Sequence, residues 1–445
     1  MGPTTPRVRQ KVPAAGTGAR EISLRREPNA VRRFFKILGP GLITGAADDD
    51  PSGVGTYAVA GASLGYASLW TMIVTLPMMV AAQIMSVKVA LVTGRGLAGV
   101  LRRHYPPAVV LPAVLGLVIA NTINAGADIG AIAAAVNLFV PIPIIAMVIP
   151  IAAVILALQV IGTYQQIATV FKWTTLALFA YIGASFLARP DFGAVLRGTL
   201  VPSVSLDSKW LAVLVAVLGT TISPYMWFWQ ASQEVEEQMA IGHTRLWQRK
   251  NTSENEMKYA TWDVDVGMVF SNLVAYFVIL ATAATLFKAG KTDIKSAAEA
   301  AEALRPLVGD GARLLFALGL MGTGLLAVPV LTGSGAYALA EALGWKVGLN
   351  EKPRRARGFY AIVAGSTVIG MAINFVGINP IDALFWTAVI NGFLTPPLLG
   401  LLLHVSNNTR VMGDRVNGVG LNVVGGITTL IMAAAAVGLL VTWGR

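Results

Sequence analysis

Eleven stretches of twenty or more predominantly apolar residues follow one another along the chain, and that length pattern constrains its fold more than any other feature. To within a few residues they cover 38–64, 66–93, 107–138, 143–163, 166–188, 210–240, 258–289, 312–345, 357–378, 380–405 and 417–443, taken in order as spans 1 to 11. A polypeptide in hydrocarbon must satisfy its own backbone N–H and C=O groups, which leaves only helices and closed barrels. The ten-residue alternation of a barrel strand is missing. The expectation is therefore an all-α integral membrane protein with eleven transmembrane helices and the lipid bilayer as its solvent. Charged residues are 13% of the 445, against about 25% in an ordinary soluble domain.

The net charge of +11 invites a nucleic-acid reading, but the basic residues lie in loops and near the N-terminus, between apolar spans. With the N-terminus inside, about 25 of the 34 Lys and Arg fall on the cytoplasmic side, which satisfies the positive-inside rule and puts the C-terminus outside. A bacterial inner (plasma) membrane is the expected location, and no nucleic acid is expected as a partner. Residues 1–36 are basic, rich in Pro and Gly and lack an apolar h-region. They read as a disordered cytoplasmic tail, not a signal peptide. Residues 37–445 form one membrane domain, without a soluble domain. The loop "IGHTRLWQRKNTSENEM" (241–257) falls inside, and "KTDIKSAAEAAEALRPLVGDGAR" (291–313) outside, with a short surface helix expected there. No cysteine is present, which excludes disulfides and thiolate ligands. His104, His243 and His404 fall in or near loops, so a histidine metal site inside the membrane is not expected.

Two spans differ from the rest. Span 1 is interrupted at Asp50-Pro51-Ser52-Gly53 and span 6 at Ser223-Pro224-Tyr225. A capping residue followed by proline is the signature of a helix start, here placed in mid-membrane. The breaks lie five spans apart, so each opens one half of an inverted 5+5 arrangement: repeat one over about 38–190, repeat two over about 210–405, and an extra helix over about 417–443. Paired breaks in corresponding positions point to a substrate site between two repeats.

Unwinding frees backbone carbonyls, and the C-terminal ends of the first half-helices, near Ala47 and Thr220, suit a cation. Three consecutive acids, Asp48, Asp49 and Asp50, stand at the first break, each costing about 2.5–3.5 kcal/mol at mid-membrane. A dehydrated cation held between the breaks is the reading that accounts for them. Asp50 also has the plainer role of N-cap. Side chains step by about 100° along a helix, so the three cannot all face one point. Ser223 is either a cap alone or a cap that also faces the ion. Tyr225, Trp227, Phe228 and Trp229 are aromatics of the packing kind, and Met226 reads as core.

These segments resemble the Nramp family of divalent-metal transporters. The likeness covers nearly everything after residue 35, including "GPG" followed eight residues later by "DP", "LVTGRGLAGVLRRHY", "ALGLMGTGLLAVPVLTGSGAYALAEALG" and "LTPPLLGLLLHVSNN". It implies the LeuT-like inverted 5+5 fold with helices 1 and 6 broken. The family carries Asp-Pro-Gly-Asn in span 1 and Met-Pro-His in span 6. Asp50 is kept here, the asparagine ligand has become Gly53, the thioether ligand has become Ser223, and the carbonyl ligand falls at Thr220. This pattern is similar to the Nramp-related magnesium transporter branch, whose members are understood to carry Mg²⁺ and also Mn²⁺.

The chemistry agrees. A thioether suits soft ions, while carboxylate, carbonyl, hydroxyl and water suit Mg²⁺ and Mn²⁺. Mg²⁺ usually keeps several waters around one or two carboxylates, and Asp48, Asp49 and Tyr225 complete the candidate set around such an ion. The family's acids in span 3 correspond to Ala125 and Asp128, and its second histidine in span 6 to Gln230, which does not titrate. The resemblance thus implies facilitated transport by alternating access without a coupled proton, with Asp128, Gln230 and Asn391 in secondary roles and no cofactor. The alternative is a proton-coupled Mn²⁺/Fe²⁺ importer of the Nramp type. An amino-acid carrier of the same fold conflicts with three aspartates facing a carboxylate. An enzyme lacks a nucleophile–base pair, and a channel has no need of two breaks.

Overall fold

The computed structural model describes residues 16–24, 28–161 and 179–443, and these are helical with no strand among them. Nine of the described helices are long and apolar enough to cross a membrane. Span 1 covers the same reach in two shorter pieces, Pro40–Asp48 and Pro51–Leu64. The first part of span 5 lies outside the described residues, as do residues 1–15 of the tail; span 5 enters the description with the helix Ala180–Leu187.

The breaks are where the sequence puts them. Span 6 consists of Ser208–Thr221 and Pro224–Ala240. In each broken span the second half-helix starts with proline at its first position, where the missing N–H is not needed. Span 7 begins at Glu254, four residues before the apolar run, because the hydroxyl of Ser253 accepts the Glu256 N–H at 3.2 Å and caps it. Glu256 is then drawn into the protein by a partner described below.

The arrangement has the inverted-repeat symmetry. The second half of span 1 packs on span 7 and the second half of span 6 on span 2, so each leans on the second helix of the other repeat. Spans 3 (Pro107–Asn137) and 8 (Ala312–Leu343), the third helices, pack on one another. Span 11 (Val419–Thr442) lies outside this symmetry, against spans 10 and 2 and the first half of span 6.

Between helices in lipid the hydrophobic effect gives little, and close packing through small residues takes over. Both halves of span 1 rely on it against span 7. A β-carbon on Gly45 would lie 2.2 Å from the Gly267 carbonyl oxygen, and one on Gly61 would lie 2.3 Å from that of Ile279. Only glycine permits this backbone-to-backbone approach. It carries the two halves of the broken helix on one continuous neighbour.

Two expectations change. The segment read as a surface helix forms short helices, Ala297–Ala301 and Arg305–Val308. Ile294, Ala297, Ala300, Ala301, Ala303 and Leu304 there are buried, so the segment caps the bundle instead of floating on it. Within the tail expected to be disordered, Ala19–Leu24 is a helix, and its Arg20 is buried. Composition gave no sign of this, because its cause is charge pairing with residues more than 200 positions away.

Candidate functional site

The two breaks share one backbone plan. In span 1, Asp49 (φ −79°, ψ 40°) ends the first half-helix and Asp50 (φ −64°, ψ 168°) turns the chain into the second. In span 6, Ile222 (φ −117°, ψ 44°) and Ser223 (φ −69°, ψ 132°) do the same. Two residues are unwound in each case, the second of them extended. The breaks meet: the Tyr225 hydroxyl donates to the Ala47 carbonyl at 3.0 Å, and the hydroxyls of Tyr57 and Thr221 are 3.0 Å apart.

Asp50 does cap its half-helix. Its Oδ1 accepts the Gly53 N–H at 2.6 Å and the Ser52 hydroxyl at 2.8 Å, and its Oδ2 accepts the Asn124 amide at 3.2 Å. Gly53 stands at the centre of the crossing. A β-carbon there would lie 2.9 Å from the Asp48 carbonyl oxygen and 3.4 Å from both Asp50 Oδ1 and Thr220 Oγ1. Oxygens from both broken spans therefore converge on one point, and any side chain at position 53 would take that space.

Asp48 and Asp49 point elsewhere, as the helical step requires. The Ser271 hydroxyl of span 7 lies between Asp48 Oδ2 and Asp49 Oδ1. Asp128 joins from span 3 through Asn124, whose amide nitrogen is 3.2 Å from Asp128 Oδ2, while the Asn124 oxygen accepts from Asn391 at 3.2 Å. The four acids are at most 1% exposed. Asp48 Oδ1, Asp49 Oδ2, Asp128 Oδ1 and Asn391 Oδ1 are buried with no hydrogen-bond partner. Among the described residues none of the four acids forms an ion pair with Lys, Arg or His, and no three His, Cys, Asp or Glu converge in the manner of a fixed metal centre. What the site offers is a cluster of oxygen acceptors with one carboxylate at the crossing and three set back from it.

Ser223 differs from expectation. It occupies the N-cap position but its side chain caps nothing. The hydroxyl turns back to the Gly219 and Thr220 carbonyls at 2.7 and 2.8 Å, covering the frayed end of the preceding half-helix, a local bond open to any serine after a helical turn. The Thr220 carbonyl is thus already engaged on one side, and the Thr220 hydroxyl is the group nearer the crossing. Gln230 is fully buried, and its amide nitrogen lies 3.4 Å from Glu234 Oε1. Three further residues belong to the site. Asn124 bridges two acids, Ser271 holds two more, and Thr395 donates to the Ile222 carbonyl at 3.3 Å in the unwound stretch. A polar amide or hydroxyl inside an apolar span marks the stretch that holds each of them, though not the one residue within it.

A family model described as Natural resistance-associated macrophage protein-like (Nramp) matches residues 41–442. Among solved structures, the chain is similar to a manganese transporter from Eremococcus coleocola in complex with an aromatic bis-isothiourea substituted compound. The TM-score is 0.73 at 17% identity, over 97% of this chain and 90% of that one. It is also similar to Mhp1, a nucleobase-cation-symport-1 family transporter in a closed conformation with bromovinylhydantoin bound, with a TM-score of 0.57 at 14% identity, over 92% of this chain and 94% of that one. At such identities the likeness speaks for the fold, the inverted repeat of the LeuT kind.

Proposed function

The chain belongs to the Nramp family, and from that premise we propose that it carries Mg²⁺ and Mn²⁺ across the membrane by alternating access, down their gradient and without a coupled proton. The observation that carries this reading is the oxygen-only crossing at Gly53, where the Asp48 carbonyl, the Asp50 carboxylate and the Thr220 hydroxyl approach one another with no thioether or imidazole at positions 223 and 230. Hard ions favour such donors. Mg²⁺ holds its water, and one near carboxylate with Asp48 and Asp49 set back provides for an ion that keeps part of its shell. The Thr220 carbonyl, Ser223 and Tyr225 complete the surroundings, and Asn391 and Asp128 stand behind Asn124. The manganese transporter with the same fold supports Mn²⁺ as a second cargo.

The route from the far end is acidic too. A cavity of about 600 Å³ is lined by Ser63, Asp207, Lys209, Asp293, Asp382 and Phe385, where the second half of span 1 meets the starts of spans 6 and 10. With the N-terminus inside, this is the outer approach.

Lack of proton coupling rests on Gln230 and on Asn124, an amide that separates Asp50 from Asp128 and cannot relay a proton by titrating. One observation favours the proton-coupled alternative: Asp128 is buried one side chain away from Asp50. Uptake of Mg²⁺ or Mn²⁺ into proteoliposomes that hold a pH dye decides between them. Ion entry with unchanged internal pH is the expected result, and acidification in step with entry establishes the alternative.

A further inference from the structure

Arg20 is 3% exposed and lies against four carboxylates from two spans. Its Nη1 is 2.8 Å from Glu234 Oε2, 3.2 Å from Glu256 Oε1 and 3.5 Å from Glu237 Oε2; its Nη2 is 3.0 Å from Glu234 Oε1 and 2.9 Å from Asp263 Oδ2. The remaining donor, Nε, bonds the Ile37 carbonyl at 3.2 Å. Glu234 and Glu237 stand on the second half of span 6, and Glu256 and Asp263 on span 7. One planar fork therefore staples two spans together, a task for which an ammonium is poorly shaped. Burial alone would lower the pKa of the guanidinium, but the charges of Glu234, Glu237 and Asp263 outweigh it and hold Arg20 well above its ordinary value. Asp263 also accepts the N–H groups of Gly39, Gly41 and Leu42 at 2.8, 2.8 and 3.0 Å, so the start of span 1 is fastened at the same point.

A polar seam connects this cluster to the helix breaks. Gln230, Glu234 and Glu237 follow at i, i+4 and i+7, on one face of span 6. On span 7, Asp263 and Ser271 are eight residues apart, about 12 Å along the axis and about 80° apart around it, and Ser271 touches both Asp48 and Asp49. The second half of span 6 and span 7 are joined through Arg20 and through the first half of span 1, which packs on both, and all of these residues but Glu237 are under 6% exposed.

We infer that this seam is the exit for the ion and that Arg20 closes it as a tethered cation. The inference rests on the chain being an alternating-access carrier with its N-terminal side cytoplasmic. An opening on that side must part Glu234 from Asp263 and Glu256, and among the described residues the guanidinium is the cation that pairs with all three. A divalent ion coming down the seam meets four carboxylates shared by the single charge of Arg20 and takes its place, so release and unlocking are one event.

The absence of cysteine makes the test direct. A single reporter, Gln230→Cys, is exposed to a maleimide from the expected cytoplasmic face, with and without Arg20→Ala. Loss of Arg20 is expected to speed labelling about tenfold or more, the population shift of an unlatched gate, and millimolar Mg²⁺ is expected to speed labelling of the parent as the ion displaces Arg20 from the carboxylates. Arg20→Lys, which keeps the charge but not the fork, is expected to label faster than the parent and at least about threefold slower than Arg20→Ala. Equal rates in the parent and Arg20→Ala overturn the proposal, and so does an Arg20→Lys rate as fast as Arg20→Ala, which would show a packing contact in place of a cation lock. If Arg20→Ala does not fold, Arg20→Gln keeps donors without charge and is expected to label as fast as stated for alanine. Labelling reads closure alone, so it passes or fails independently of which ion the uptake assay finds to be carried.

Discussion

Two groups of four acids, all buried but Glu237, lie at opposite ends of one seam, and they are stabilised in opposite ways. Glu234, Glu237, Glu256 and Asp263 surround a permanent cation supplied by the chain itself. Asp48, Asp49, Asp50 and Asp128 have hydroxyls and amides around them and, among the described residues, no cationic side chain. Buried charge without a counter-charge is expensive. A fixed partner would settle that cost at the breaks, but it would also fill the place that a passing ion needs. On the proposed function, the difference separates a cluster built to be closed from one built to be visited.

The strongest way to break this comparison is Asp50→Ala. It is expected to abolish Mg²⁺ and Mn²⁺ uptake in proteoliposomes, while the lost cap lowers stability by only about 1 kcal/mol. Uptake that survives would take Asp50 out of the visited cluster. Arg20→Ala should do the reverse to stability. With its partner removed, the other cluster loses about 3–5 kcal/mol, seen as a fall in thermal midpoint well beyond that of Asp50→Ala. A smaller fall than that of Asp50→Ala would erase the distinction between the clusters.

Ser223→Met combined with Gly53→Asn sharpens the comparison by changing the kind of ion. Selectivity is expected to move about tenfold toward Mn²⁺ or Cd²⁺, worth about 1.4 kcal/mol, as read from competition in the uptake assay. Turnover is expected to fall as well, because a β-carbon at position 53 presses on the Asp48 carbonyl. An unchanged preference for Mg²⁺ would mean that the crossing does not choose the ion. Asp128→Asn has the smallest expected effect. Uptake should stay within about threefold, less than 1 kcal/mol, with no new dependence on internal pH. A collapse of uptake, or loss of a pH dependence present in the parent, would place Asp128 in a proton route.

How far this was legible in the sequence depended on the range of the forces involved. Asp50-Pro51 and Ser223-Pro224 announce themselves, because capping and the missing proline N–H act within a few residues, and both breaks sit at those pairs. Among the described residues the apolar runs located the helices to within a few residues, because hydrocarbon thickness acts on each run alone; the start of span 5 lies outside them. Arg20 was hidden, since its partners stand 214 to 243 positions away and its own surroundings read as a polar tail. The hydroxyl of Ser223 was read as a cap and turns back to Gly219 and Thr220, a rotamer choice that spacing does not reveal. Asn124 went unnoticed although it bridges Asp50 and Asp128. Its neighbours are small and apolar, and nothing in "NTINAGAD" says which of the two asparagines faces the crossing.

The glycine contacts along span 7 bear on how such a molecule moves. With Gly45 and Gly61 pressed on the backbone of one unbroken rod, on either side of the gap at Asp49 and Asp50, that rod acts as a splint across a fracture. The discontinuity then cannot serve as a free hinge. In the proposed alternating access, a tilt at one end is carried to the other as by a plank on a fulcrum, and the oxygens at the crossing keep their spacing while the doors on either side change places.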